Sequence, residues 1–193
     1  MTVFSLVIFL SFCIYIANNF SLLKSIKPFG GYANWITFLR LIILIYVALN
    51  FQNMAYVKIA SIFIANILLD ILDGIVARKL NIESIFGLYF DMELDAFYVC
   101  LAAIILFTEG LTGSWIVWIG LLRYLFTFLI VLLNINIKSE PKQKFASLVA
   151  GALFWCLLLP FFNTQFNFIL MMASALVMVS FTKSFIFQLK RSF

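Results

Sequence analysis

The sequence predicts an all-α bundle of membrane-spanning helices, a polytopic transmembrane protein. Three observations carry that prediction. Hydrophobic residues make up 65% of the 193-residue chain and charged residues only 11%, a balance foreign to water-soluble domains. The apolar residues fall in runs of about twenty, enough for a helix to cross the hydrocarbon layer. Such runs are too long for barrel strands, and lipid-embedded backbone is satisfied only in helices or closed barrels.

Composition also excludes function classes. There is no histidine, so histidine catalysis and histidine metal ligation are ruled out. The net charge of +5 is small, and the basic residues sit mainly at segment ends. They read as topology determinants, not as a nucleic-acid patch. Cys13, Cys100 and Cys156 are far apart in apolar segments and lack metal-site spacing, so they read as small hydrophobes.

Seven spans follow in order. Residues 3–23 are apolar and uncharged. A basic leader region and a small-residue cleavage site are missing, which favours a retained helix over a signal peptide. Residues 24–33 form a linker with Pro28 and Gly30-Gly31. The second span, 35–51, opens with Asn34, Thr37 and Arg40, spaced by three. The third, 56–76, carries Asp70 and Asp73 near its end. Residues 77–84 read as a polar loop with Arg78, Lys79 and Glu83. The fourth span, 85–107, has Asp91 and Asp95 in its first half. The fifth, 115–137, contains Arg123. Residues 145–162 and 166–187 complete the set. No internal repeat or second domain is evident.

One side of these spans collects Lys24, Lys27, Arg78, Lys79, Lys138, Lys142, Lys144, Lys190 and Arg191. The opposite turns, near Asn53, Glu109 and Asn163, are nearly free of Lys and Arg. The positive-inside rule makes the first side cytoplasmic. Seven spans then put the N-terminus outside.

The aspartates organise the chain. There are four, Asp70, Asp73, Asp91 and Asp95, all within one stretch of 26 residues. Acids at membrane depth are costly and mark function. On a helix, Asp70, Asp73, Gly74 and Ala77 share a face, and Gly87, Asp91 and Asp95 share another. Packing those faces together gathers four carboxylates, which cannot all stay ionised in a dry pocket without counter-charge. Hard divalent cations with oxygen ligands supply it, and Mg²⁺ keeps open positions for phosphate oxygens. Two such ions can clamp both sides of a phosphoryl group in transfer.

The stretch fits D-x2-D-G-x2-A-R-x8-G-x3-D-x3-D at every fixed position. It resembles the signature of the CDP-alcohol phosphatidyltransferase family. The surrounding hydropathy is similar to that family's membrane domain, usually six helices. The resemblance therefore implies an added span over 1–23 and a CDP-alcohol phosphotransferase membrane domain over 24–193. It implies an integral membrane enzyme of phospholipid synthesis. A CDP-linked donor, with CDP-diacylglycerol favoured, and a small alcohol would give a phosphodiester and CMP, with the site facing the cytoplasm. Mg²⁺ or Mn²⁺ would be the cofactor, as two ions. Asp70, Asp73 and Asp91 would be principal ligands, with Asp95 near the second ion and also the general base. Homodimers are common in the family.

Other positions keep two readings. By resemblance, Asn34 and Thr37 help hold the nucleotide or diphosphate; alternatively they cap the helix start while Arg40 snorkels. Gly74, Ala77 and Gly87 admit a nucleotide close to the helices, or simply let helices pack. Arg78 pairs with phosphate or anchors the cytoplasmic side. Ser84 corresponds to a Ser or Thr near the diphosphate in family members. Arg123 binds the acceptor's phosphate or pairs with Glu93. Where many members with phosphorylated acceptors carry Lys or Arg after the last aspartate, this chain has Ala96. The rivals are a CDP-choline or CDP-ethanolamine phosphotransferase acting on diacylglycerol and, from another class, an ion or proton transporter. A transporter leaves the Gly, Ala and Arg at fixed spacing unexplained. A non-catalytic scaffold is disfavoured because no motif residue is missing.

Overall fold

A computed structural model of the chain describes residues 32–79, 85–133 and 144–192. Every regular element among them is helical, as the hydropathy pattern requires. The expected first span, most of the 24–33 linker and Ser84 lie outside the described residues. The described residues group into two compact units that meet in sequence at Tyr98 and Val99.

The first unit is built on a helical hairpin. Helix α1 spans Tyr32–Asn50 and α2 spans Tyr56–Lys79, and the two pack along their length. The buried face of α1 carries Thr37, Arg40, Leu41, Leu44, Val47 and Ala48, the three-and-four spacing of one helix side. Trp35, Leu39, Ile42, Tyr46 and Leu49 are exposed on the rest. Large apolar side chains facing outward suit a helix whose solvent is lipid. On α2, Ile59, Ala60, Phe63, Asn66, Ile67 and Asp73 are buried at the same spacing.

The turn between them is short. A 3₁₀ segment, Phe51–Asn53, closes with the Met54 amide donating to the Phe51 carbonyl. The Ala55 carbonyl then accepts from the Lys58 and Ile59 amides and starts α2. At its far end α2 runs on to Lys79, so Arg78 and Lys79 form its last turn. This corrects the expectation of a loop from Ala77. Arg and Lys are good helix formers, and cations favour the negative end of a helix dipole.

Helix α3, Ile85–Thr108, begins in the first unit. Its residues Phe86, Phe90, Leu94, Phe97 and Tyr98 are buried, and Tyr98 meets Phe63 of α2 edge-on at 5.2 Å.

In the second unit α3 ends in a Schellman turn. Gly110, with φ of 67°, donates to Phe107, and Leu111 donates to Leu106. Helix α4, Trp115–Leu132, lies very close to α3 at Gly120, where a Cβ would fall 2.9 Å from the Ala103 Cβ. Helix α5, Lys144–Cys156, gives way to a separate short α6, Leu159–Phe162. The span expected over 145–162 is long and apolar enough to cross a membrane, with its helix interrupted at Leu157 and Leu158, because Pro160 has no amide to donate and its ring crowds the preceding turn. After a 3₁₀ turn, Thr164–Phe166, the long α7 spans Asn167–Ser192 and packs on α5 and α4. Phe126 of α4 touches Phe181 and Phe185 of α7 edge-on.

Four stretches among the described residues are long and apolar enough to cross a membrane: Asn34–Asn53, Tyr56–Lys79, Phe145–Phe162 and Thr164–Leu189. The protein is an all-α membrane protein. Helix α3 has the length, at 24 residues, but carries Asp91, Glu93 and Asp95. The apolar part of α4, Trp115–Ile130, is shorter.

Candidate metal and phosphoryl-transfer centre

The first unit brings the four aspartates to one guanidinium. Asp70 and Asp73 come from the last turns of α2, Asp91 and Asp95 from the first half of α3, and Arg40 from the middle of α1. Arg40 Nη1 lies 2.8 Å from Asp70 Oδ1, 3.1 Å from Asp73 Oδ2 and 2.6 Å from Asp91 Oδ1. Its Nη2 lies 2.9 Å from Asp95 Oδ1. Arg40 is 1% exposed, so the snorkelling alternative is overturned. A charged fork this deep is tolerated because acids from two helices surround it.

Two neutral groups brace this arrangement. Thr37 Oγ1, one turn before Arg40, donates to Asp73 Oδ2 at 3.0 Å. Thr37 therefore acts across the α1–α2 seam and not as a cap at the helix start. Asn66, one turn before Asp70, donates its amide to the Arg40 carbonyl at 3.1 Å and is buried. Asn66 was not foreseen, although it shares the Asp70–Asp73 face.

The aspartates are not equivalent. Asp73 has a side chain 6% exposed and is held by Thr37 and Arg40. Asp70, Asp91 and Asp95 are 27%, 35% and 32% exposed, so each keeps an open side. One carboxylate oxygen from each of these three lies within 4.8 Å of the others. Oxygens bound to one Mg²⁺ at about 2.1 Å are at most about 4.2 Å apart, so small side-chain movements suffice to share an ion. The donor set is all oxygen, and one guanidinium opposes four carboxylates. Both facts fit a hard divalent cation.

The remaining sequence-predicted residues fall as follows. Asn34 lies one turn before Thr37 and is half-buried. Gly74 and Ala77 are half-buried on α2, and Gly87 is half-buried on α3, one turn before Asp91. Arg78 is exposed and folds back along α2. A Cβ at Gly74 would have as its three nearest atoms the Arg78 guanidinium, at 3.4–3.7 Å. Among the described residues no neighbouring helix comes closer there, so tight packing between them does not account for Gly74. Ala96 is buried. Arg123 is on α4 in the second unit and half-buried.

A family model described as CDP-alcohol phosphatidyltransferase matches residues 31–180. The chain belongs to that family. No curated protein and no solved structure matches the chain. CDP-alcohol phosphatidyltransferases transfer a phosphatidyl group from a CDP-alcohol to an alcohol acceptor at a membrane, and they use divalent metal ions. The acidic trio of Asp70, Asp91 and Asp95 is a group that could hold such an ion.

Proposed function

We propose that this phosphatidyltransferase takes CDP-diacylglycerol as donor and a small alcohol as acceptor, releasing CMP in phospholipid synthesis. The observation that carries the reading is the trio of half-open carboxylates, Asp70, Asp91 and Asp95, within 4.8 Å of one another in a chain of this family. Asp70, Asp91 and Asp95 would hold the ions, Mg²⁺ or Mn²⁺, with Asp73 completing the set from its braced position. Bound there, the ions would neutralise charge on the diphosphate and on the departing CMP.

The chain's own residues do the rest. Asp95, its Oδ1 fixed 2.9 Å from Arg40, is proposed to take the proton of the acceptor hydroxyl. The hydroxyl oxygen forms the new bond to the lipid-linked phosphorus, and the bond from that phosphorus to CMP breaks. Gly74, Ala77 and Gly87 leave room for the nucleotide beside α2 and α3. Arg78, exposed and folded over Gly74, is proposed to pair with a phosphate. Asn34 and Ser84 are proposed to contact the diphosphate. Thr37 is proposed to serve it through Asp73, since its single hydroxyl proton is already donated there. Arg123 is proposed, from the sequence, as an acceptor contact. The buried Ala96 offers no charge to a phosphorylated acceptor, which favours an unphosphorylated one.

We further propose a single membrane domain over 24–193, an added span over 1–23, a site open to the cytoplasm and a homodimer. Cysteine labelling at Ser84 and Glu109 in sealed cells tests the orientation; labelling of position 84 from outside overturns it. The reaction is tested by CMP release from purified protein given Mg²⁺ or Mn²⁺, CDP-diacylglycerol and a panel of alcohols. Release from CDP-choline with diacylglycerol, and none from CDP-diacylglycerol, would reassign the donor.

A further inference from the structure

We propose that Arg40 is a positioning residue: the resident cation that keeps the four aspartates gathered when no divalent ion is bound. This rests on the divalent reading of the same site. Arg40 is 1% exposed yet charged, so it anchors nothing at the membrane surface. Its two terminal nitrogens reach one oxygen on each of four carboxylates drawn from two helices. Asp70, Asp91 and Asp95 are 27%, 35% and 32% exposed beside it, so each keeps an open side. Among the described residues no hydrogen-bond partner meets the buried Nε, and the contacts of Nη1 and Nη2 are with the four acids. Its backbone is fixed to α2 through Asn66, which sets the height of the fork against Asp70 and Asp73.

The electrostatics give this arrangement a testable signature. One positive charge among four carboxylates leaves them repelling one another wherever they are ionised, in a medium that screens little. Removing that charge exposes the full repulsion, and a divalent ion can replace what was lost. An ordinary packed side chain has no such relation to metal. Loss of Arg40 should therefore be severe without metal and partly repaired by it.

The test uses the full chain in detergent, as wild type, Arg40→Met and Arg40→Lys. Thermal unfolding is followed by tryptophan fluorescence in EDTA and in excess Mn²⁺, and Mn²⁺ binding is read by electron paramagnetic resonance. In EDTA, Arg40→Met should unfold about 6–20 °C below wild type, the shift expected for breaking a buried ion pair in a chain of this size. Arg40→Lys, which keeps the charge but not the fork, should lie between. Mn²⁺ should raise Tm more in Arg40→Met than in wild type and close half the gap or more. If Arg40→Met does not fold, the same narrowing is required of Arg40→Lys. A gap that Mn²⁺ leaves unchanged in a wild-type protein that binds Mn²⁺ overturns the role of Arg40 alone. A variant as stable as wild type in EDTA overturns it too. Failure of wild type to bind Mn²⁺ overturns the divalent reading itself.

Discussion

The two units differ in what their packed helices bring together. In the first, the otherwise apolar seam between α1, α2 and the start of α3 carries a polar cluster: Arg40, Thr37, Asn66 and four aspartates meet there. In the second, apolar and aromatic contacts join helices: Gly120 against Ala103, and Phe126 against Phe181 and Phe185. Lipid tails are as apolar as leucine, so helices in a membrane associate through close packing and polar contacts. Close packing of this kind joins α3 to α4 at Gly120 and α4 to α7 at Phe126. Replacing a buried ionic cluster with apolar residues is often stabilising, so such a cluster is weak evidence of a stabilising role. Its presence in the first unit points to chemistry.

The largest expected effect lies in the cluster. Asp95→Asn should lower single-turnover CMP release by about 10²–10⁴, the usual cost of losing a general base, while the donor still binds. Asp70→Asn should instead weaken donor binding and Mn²⁺ binding together. If Asp95→Asn loses donor affinity as badly as Asp70→Asn, Asp95 is mainly a ligand, and Glu93 becomes the nearest remaining carboxylate for the base. Near-normal turnover in Asp95→Asn removes the base assignment.

A contrasting change in the second unit should affect stability and spare the site. Gly120→Leu forces a side chain into the space where even a Cβ meets Ala103 at 2.9 Å and the Cys100 Cα at 3.1 Å. Overpacking of this kind costs about 1–3 kcal/mol, or several degrees of Tm. Mn²⁺ affinity of the folded fraction should stay at the wild-type value. A large fall in that affinity would show that the units do not separate packing from chemistry as cleanly as their interiors indicate.

Asn66→Leu is expected to be smaller and mixed. It removes the amide that ties α2 to the Arg40 carbonyl, at about 1 kcal/mol for a net hydrogen bond, and leucine offsets part of that loss by packing. Its signature should be a lower turnover at nearly unchanged Tm, because the height of Arg40 is set through this bond. Equal losses in Tm and turnover would make Asn66 an ordinary buried polar contact.

Much of this was legible in the sequence, for physical reasons that also mark where legibility ends. Asp70–Asp73 and Asp91–Asp95 announce themselves because helical spacing fixes which side chains share a face, whatever the rest of the fold does. Apolar run length announces the helices for the same local reason. Arg40 was missed as part of the centre because its partners are 30 or more residues away, and the local reading of a lone arginine near a span's start is a snorkelling anchor. Its spacing by three from Thr37 and Asn34 was the available signal. The extension of α2 through Arg78 and Lys79 was missed because polarity was taken to mean loop, although both residues favour helix. The break before Pro160 was written in the sequence, but hydropathy alone reads across it.

The smallest expected effect separates two readings of Gly74. A glycine beside a motif aspartate can admit a nucleotide or admit a neighbouring helix. Here the three atoms nearest a new Cβ all belong to the Arg78 guanidinium, at 3.4–3.7 Å. That is ordinary contact with the flexible end of a side chain, so Gly74→Ala should fold without strain. Alanine in a helix interior is also favoured over glycine by roughly 0.5–1 kcal/mol, so Tm should hold or rise slightly. If the nucleotide lies against α2 at this point, the added methyl and the displaced guanidinium should raise KM for the CDP-linked donor several-fold while kcat changes little, since no reacting atom is touched. The KM of the acceptor alcohol serves as the control and should not move. An unchanged donor KM with a raised Tm would place the nucleotide elsewhere and leave Gly74 without a role in binding. A lowered Tm would show that a helix does need the space, against the contact distances.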